Sequence, residues 1–165
     1  MKATDVIKIA LEQSKGYATS LLADMKNECT TMPTPRGGNH PLWVMGHLAL
    51  AEASMLSKFV TGGENPLAKW KELFGGGTEP VADAKKYPSW DEVVGAFERA
   101  RSATFKALDG LSDADLDRST NAPENMKSFF GTVGQVFTMI SIHVAFHAGQ
   151  VADARRAAGK KPVFG

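Results

Sequence analysis

Between Thr132 and Gly159 the chain reads Thr-Val-Gly-Gln-Val-Phe-Thr-Met-Ile-Ser-Ile-His-Val-Ala-Phe-His-Ala-Gly-Gln-Val-Ala-Asp-Ala-Arg-Arg-Ala-Ala-Gly. Thr132 and Gln135 have the spacing of a capping box, so a helix opens there. Gly159, with Pro162 beyond it, closes the run. His143 and His147 lie inside it at i and i+4. At about 100° per residue, such a pair is separated by roughly 40° around the axis, so both imidazoles leave one face a turn apart. Val133, Val136, Ile140, Val151, Ala154 and Ala158 share that side, whereas Gln135, Thr138 and Arg156 do not. A helix whose apolar face carries two histidines directs both rings toward a core.

Three further long helical patterns precede it. The first covers about residues 4–28, with Ile7, Leu11, Ser14, Ala18, Leu21, Leu22 and Met25 at helical spacing and Lys8, Glu12, Lys15 and Lys26 on the outer face. Pro33, Pro35, Gly37 and Gly38 break the chain. Asn39 is the expected N-cap of the second helix, with Pro41 in its first turn and Gly62-Gly63 as its stop. Residues 63–88 form a long connection in which Asn65-Pro66 starts a short helix through Trp70 and Phe74, ended by Gly75-Gly76-Gly77. Ser89 and Glu92 open the third helix with capping-box spacing, and Gly110 ends it. A second connection, 111–131, holds one turn at Ser112–Leu116. The expectation is an all-α four-helix bundle, one domain over residues 1–165, with long 2–3 and 3–4 connections. The shorter 1–2 link predicts that helices 1 and 2 are antiparallel neighbours, and the long 2–3 link permits a crossover.

Helix 2 adds a third inward histidine. His47 lies on a face with Val44, Leu48, Ala51 and Met55. Three imidazoles in an apolar interior leave several ring nitrogens to satisfy, at about 1–3 kcal/mol for each uncompensated polar group. One shared metal ion removes that cost by taking one nitrogen from each ring. His47, His143 and His147 are therefore the candidate metal ligands, three protein ligands with an open position. The fourth histidine, His40, reads as a surface residue or a helix-start contact beside Pro41.

Other chemistries are excluded by their missing parts. A zincin needs Glu directly after the first histidine of the pair, where Val144 stands. A di-iron bundle needs Glu three residues before a histidine, and those positions hold Val44, Ile140 and Val144. Gly75–Gly77 lacks the strand and the Lys-Ser/Thr of a phosphate loop and reads as a flexible turn. With 19 basic and 18 acidic residues in 165, the chain has no basic excess for nucleic acid. Arg155, Arg156, Lys160 and Lys161 read as a solvated helix end, with Arg155 and Arg156 as receivers for a substrate carboxylate in the second place. The single cysteine, Cys29, cannot form an intramolecular disulfide and reads as a small buried residue. No stretch is apolar for long enough to span a bilayer. Met1-Lys2 leads straight into an amphipathic pattern without a signal-peptide core, so a cytoplasmic address is expected.

Trp43-Val-Met-Gly46-His47-Leu48 followed by Glu52, together with His143-Val-Ala-Phe-His147-Ala-Gly149-Gln150 followed by Arg155-Arg156 and Gly159, resembles the second- and fourth-helix signatures of the DinB/YfiT-like superfamily. The resemblance covers nearly the whole chain and is most specific at HxxxH-Gly-Gln. It implies a four-helix bundle, often a homodimer, with a divalent metal on His47, His143 and His147. Better-understood members of that superfamily are thiol-dependent transferases and isomerases using low-molecular-weight thiols such as bacillithiol or mycothiol; many others are described only as metal-dependent hydrolases.

Three readings follow for function. The first is a divalent-metal thiol S-transferase acting on a small-molecule substrate, the second a metal-dependent hydrolase, and the third a non-catalytic metal-binding stress-response module. Three imidazoles suit Zn, Ni, Fe or Co, and the residues do not choose among them. Gln150, near the histidine face, is a candidate to bond a ligand or a ring nitrogen. Glu52, one turn beyond His47 but rotated from it, is a weak candidate base. No neighbouring protein base is needed to make a thiolate at a metal, so the transferase ranks first.

Overall fold

The computed structural model describes residues 1–164. Four long helices build it: α1 (Ala3–Leu22), α2 (Pro41–Leu56), α4 (Trp90–Asp109) and α6 (Val133–Ala157). Two single-turn helices, α3 (Lys71–Phe74) and α5 (Lys127–Phe130), lie in the connections, and no strand occurs among the described residues. The expected all-α class is what the chain adopts.

The capping signals act largely as read. Thr132 Oγ1 accepts from Gln135 N while Gln135 Oε1 accepts from Thr132 N, a complete box at the start of α6. Ser89 accepts from the Glu92 amide at the start of α4. Gly62 and Gly159 take positive φ at the ends of α2's terminal turn and α6, the conformation that stops a helix with least strain. Two boundaries differ from expectation. The N-cap of α2 is His40 rather than Asn39, because the His40 ring turns Nδ1 back to accept from Trp43 N at 3.1 Å. And α1 stops at Leu22, with residues 26–28 in a separate tight turn. Arg155 donates to the Leu21 carbonyl and to the Asp24 carboxylate, satisfying the end of α1 from a neighbouring helix.

The packing order corrects the reading of helices 1 and 2 as neighbours. α1 packs on α6, and α2 packs on both α4 and α6. α1 and α2 therefore stand diagonally across the bundle. Lys8 with Asp109, Lys15 with Glu98 and Lys26 with Asp91 show that α4 runs antiparallel to α1. Contacts of His47 with the middle of α6, and of Phe59 with Phe130 just before its start, make α2 and α6 antiparallel. The sense is up, down, down, up. Two consecutive down helices require the 2–3 connection to climb the length of the bundle.

That crossover fastens itself to α2 as it climbs. Asn65 donates to the Leu50 carbonyl, the Phe74 carbonyl accepts from His47, Thr78 Oγ1 accepts from the Trp43 indole, and the Val81 carbonyl accepts from His40. Packing is closest where Phe74 lies on Gly46: a Cβ at position 46 would sit 2.3 Å from the Phe74 ring. Glycine is required there by approach, not by φ.

Among the described residues the core holds one buried ion pair. Arg101 and Glu52 are each only 1% exposed and meet through two parallel bonds, Nε to Oε1 at 2.8 Å and a terminal NH to Oε2 at 2.9 Å. A further NH of Arg101 donates to the Leu11 carbonyl, so the guanidinium joins α1, α2 and α4.

Candidate metal centre

His47 comes from the first turns of α2, and His143 and His147 from the middle of α6. Because the two helices run antiparallel and in contact, the three rings meet. His143 Nε2 lies 3.2 Å from His47 Nε2 and 3.1 Å from His147 Nε2. Nitrogens bound to one ion at about 2.0–2.1 Å sit roughly 3–3.5 Å apart, so these separations fit a shared ion. Among the described residues no Asp, Glu or Cys joins the cluster, whose ligand atoms lie within 4.8 Å of one another.

The opposite nitrogens decide what the facing ones can do. The Phe74 carbonyl, 2.7 Å from His47 Nδ1, can only accept, so Nδ1 carries the proton and Nε2 presents a bare lone pair. Gln150 does the same for His147. Its Oε1 lies 2.7 Å from His147 Nδ1 and also accepts from Asn39 Nδ2 at 3.0 Å, so in this amide orientation the oxygen faces the ring. Two bare lone pairs thus face His143 Nε2. One N–H on His143 can satisfy only one of them, whereas a cation satisfies all three rings. The donor set fits a divalent metal of the Zn, Ni, Fe or Co type.

Electrostatics favour the same protonation state. Burial, with the charge of His147 and His47 beside it, pushes His143 down to about 3. Burial pushes His147 down to about 4 against the raising effect of Gln150, and burial lowers His47 against the raising effect of the Phe74 carbonyl. All three rings stay neutral at neutral pH, the form that binds metal. Trp43 stacks on His47 with ring centroids 4.7 Å apart and planes 8° from parallel, closing one side of the centre.

The remaining candidates sort themselves by contact. Gln150 is at the centre, as a partner of a ring nitrogen. Glu52 is not: Arg101 takes both of its oxygens inside the core, which corrects its reading as a candidate base. His40 is no surface residue; it is fully buried, bonded to the Trp43 amide and the Val81 carbonyl, and stands apart from the triad. Arg155 is 5% exposed and holds the end of α1, so it is not open to a substrate carboxylate, whereas exposed Arg156 pairs with Asp153. Cys29 is half-buried against the core, and burial pushes its thiol up, away from a reactive thiolate. Sequence reasoning missed Asn39 as the residue that orients Gln150, and Phe74 as a backbone partner. The Gly46-His47 pair was the only sign of something packed that closely on α2.

A sequence model of the DinB superfamily matches residues 10–151, most of the chain and all three histidines. The chain belongs to the DinB superfamily. No curated protein matches it. Family and geometry agree on a helical bundle with a histidine triad that could hold a metal ion. No helix among the described residues is long and apolar enough to cross a membrane.

Proposed function

We propose that this chain is a divalent-metal enzyme of the thiol S-transferase type, in which His47, His143 and His147 hold the ion and a low-molecular-weight thiol is joined to a small electrophile. The observation that carries the reading is the pair of tautomers set by Phe74 and Gln150: the Nε2 lone pairs of His47 and His147 both face His143, whose single N–H can satisfy only one of them, whereas a cation takes up all three rings. When bound, such an ion supplies positive charge that lowers the pKa of a thiol or water beside it.

The chain's own residues do the rest. The Phe74 carbonyl and the Gln150 amide hold two rings at fixed angles, and Trp43 excludes water from one side. Three protein ligands without a fourth leave room for a reactant. No carboxylate pairs with a triad ring among the described residues, and Glu52 is bound within the core. A hydrolase requires a base to activate water at or beside such a centre, whereas a thiol is acidic enough to ionise without one. That difference favours the transferase over the hydrolase, and the open position favours an enzyme over a purely structural metal module. A cytoplasmic homodimer is the setting in which we propose it works.

The test is conjugation of a thiol to 1-chloro-2,4-dinitrobenzene by zinc-, nickel-, iron- or cobalt-loaded protein, with and without chelator. Turnover abolished by chelator and by His143→Ala supports the transferase. Chelator-sensitive cleavage of esters or amides, with no thiol conjugation, would support the hydrolase instead.

A further inference from the structure

Two cavities open on either side of one stripe of α2, and they differ in chemistry. The stripe runs His47, Ala51, Ser54, Lys58, positions that share one helix face. The first cavity, a groove of 680 Å³ between α2 and the crossover, has His47 in its wall and Lys58, Lys71 and Glu72 around its rim. The second, of 300 Å³, has His143 in its wall with Met55, Phe59, Met126, Phe130 and Met139. Ala51, Ser54 and Lys58 border both, and each space has one triad histidine in its wall.

Lys58 and Lys71 are exposed and neither pairs with a carboxylate among the described residues; the Lys58 ammonium lies over the Phe59 ring, 5.2 Å from its centroid, and keeps its charge free for an anion. Glu72 is the one acidic side chain on the rim, against two lysines, so the groove keeps a net positive charge. Distance then selects the ligand. Lys58 stands eleven residues beyond His47, about 16 Å along the axis, and its side chain can return at most about 6 Å of that. In free cysteine the sulfur and carboxylate are within about 5 Å, too short to reach from triad to Lys58. A thiol of tripeptide length spans the gap. The second cavity offers sulfur and aromatic surface without charge apart from the shared Lys58, a lining that suits flat or irregular apolar groups.

We propose that the groove seats an elongated, carboxylate-bearing thiol, with its sulfur at the triad and its carboxylates at Lys58 and Lys71, and that the Met-Phe cavity seats an apolar electrophile. This rests on the thiol-transferase reading and names its two substrates by class. In the reaction the thiol loses its proton to solvent, the sulfur's electron pair forms the new S–C bond, and the C–X bond breaks with its pair leaving on X, which takes up a proton. Thiol and electrophile become thioether and HX, and no oxidant or reductant is consumed.

Calorimetric titration of zinc-loaded protein with glutathione and with glutathione diethyl ester tests the groove without relying on turnover. Glutathione should bind about tenfold more tightly than the ester, the size of one charge-assisted contact. The Lys58→Ala/Lys71→Ala double variant should lose that tenfold for glutathione and leave the ester unchanged. Both side chains are exposed, and a circular dichroism spectrum confirms the fold of the variant. Equal binding of acid and ester, binding of neither, or wild-type glutathione binding by the double variant would overturn the groove assignment. Met139→Glu should raise KM for 1-chloro-2,4-dinitrobenzene without weakening glutathione, and an unchanged KM would overturn the second cavity's role. Failure of zinc to load, seen before any titration, would instead overturn the proposed function and this assignment with it.

Discussion

The imidazole of His47 donates its Nδ1 proton to the Phe74 carbonyl across 2.7 Å. This bond anchors one ring of the metal centre to the crossover that climbs from α2 to α4. The orientation of the ring thus depends on how closely the crossover lies on α2, and Gly46 sets that approach. Replacing Gly46 with Ala drives a methyl group into the Phe74 ring. The expected cost is about 1–3 kcal/mol of stability from overpacking, together with weaker zinc binding as the carbonyl moves away. Chemical denaturation and a zinc competition titration measure the two effects. A destabilised variant with unchanged zinc affinity would show that the carbonyl does not orient His47.

On the other side of the triad, Gln150 takes the corresponding part and Asn39 orients it. Gln150→Leu removes the acceptor for His147 and should lower metal affinity by about 10–100-fold, the usual cost of losing such a partner. Gln150→Glu keeps an acceptor and should restore most of that affinity. Asn39→Ala should act in the same direction as Gln150→Leu but less strongly, because it frees the amide to rotate without removing it. Equal affinity for the Leu and Glu variants would refute the orienting role.

Glu52 belongs to stability rather than to catalysis. Arg101→Ala leaves a carboxylate buried without a partner and should cost about 3–5 kcal/mol, while the paired change Glu52→Leu/Arg101→Met should cost far less. Denaturant melts of the single and double variants make the comparison. If the double variant recovered its stability but bound metal more weakly than the wild type, Glu52 would have to act at the centre after all.

Acid should unfold the metal-free protein early. Folded His143 and His147 titrate at about 3 and about 4, and His47 and His40 are also lowered by burial. In the unfolded chain histidines titrate near 6.5. Below that pH the unfolded chain takes up protons that the folded chain refuses, so stability falls as pH drops through 6 toward 5. The carboxylates held low, Asp24, Asp113 and Asp115, add their own loss only at lower pH. Urea midpoints for metal-free protein at pH 7, 6 and 5 should decline, and the decline should be shallower in a His143→Ala/His147→Ala variant. A flat profile for the wild type would contradict the buried, neutral triad.

What could be read from residues alone follows from how local each signal is. The α6 capping box and the HxxxH spacing are written in adjacent residues, and each has a direct physical meaning in one helix. The meeting of His47 with that pair could be inferred because burying three unsatisfied imidazoles is costly. Partners that are backbone carbonyls leave no side-chain trace, so neither Phe74 at His47 nor Val81 at His40 could be anticipated. The diagonal placement of α1 and α2 escaped because connection length limits distance without fixing which helices touch. Arg101 and Glu52 are 49 residues apart, and nothing in either neighbourhood marks the other as its partner. Asn39 looked like a helix cap because Asn is a preferred cap residue and Pro41 follows in the first turn; its amide is used across the bundle instead.

The most direct measurement is metal content of purified protein by elemental analysis, for the wild type and for His47→Ala, His143→Ala and His147→Ala. About one divalent ion per chain is expected in the wild type and little in any variant, with all three still helical by circular dichroism. Wild-type protein that takes up no divalent ion, or variants that keep a full equivalent, would contradict it.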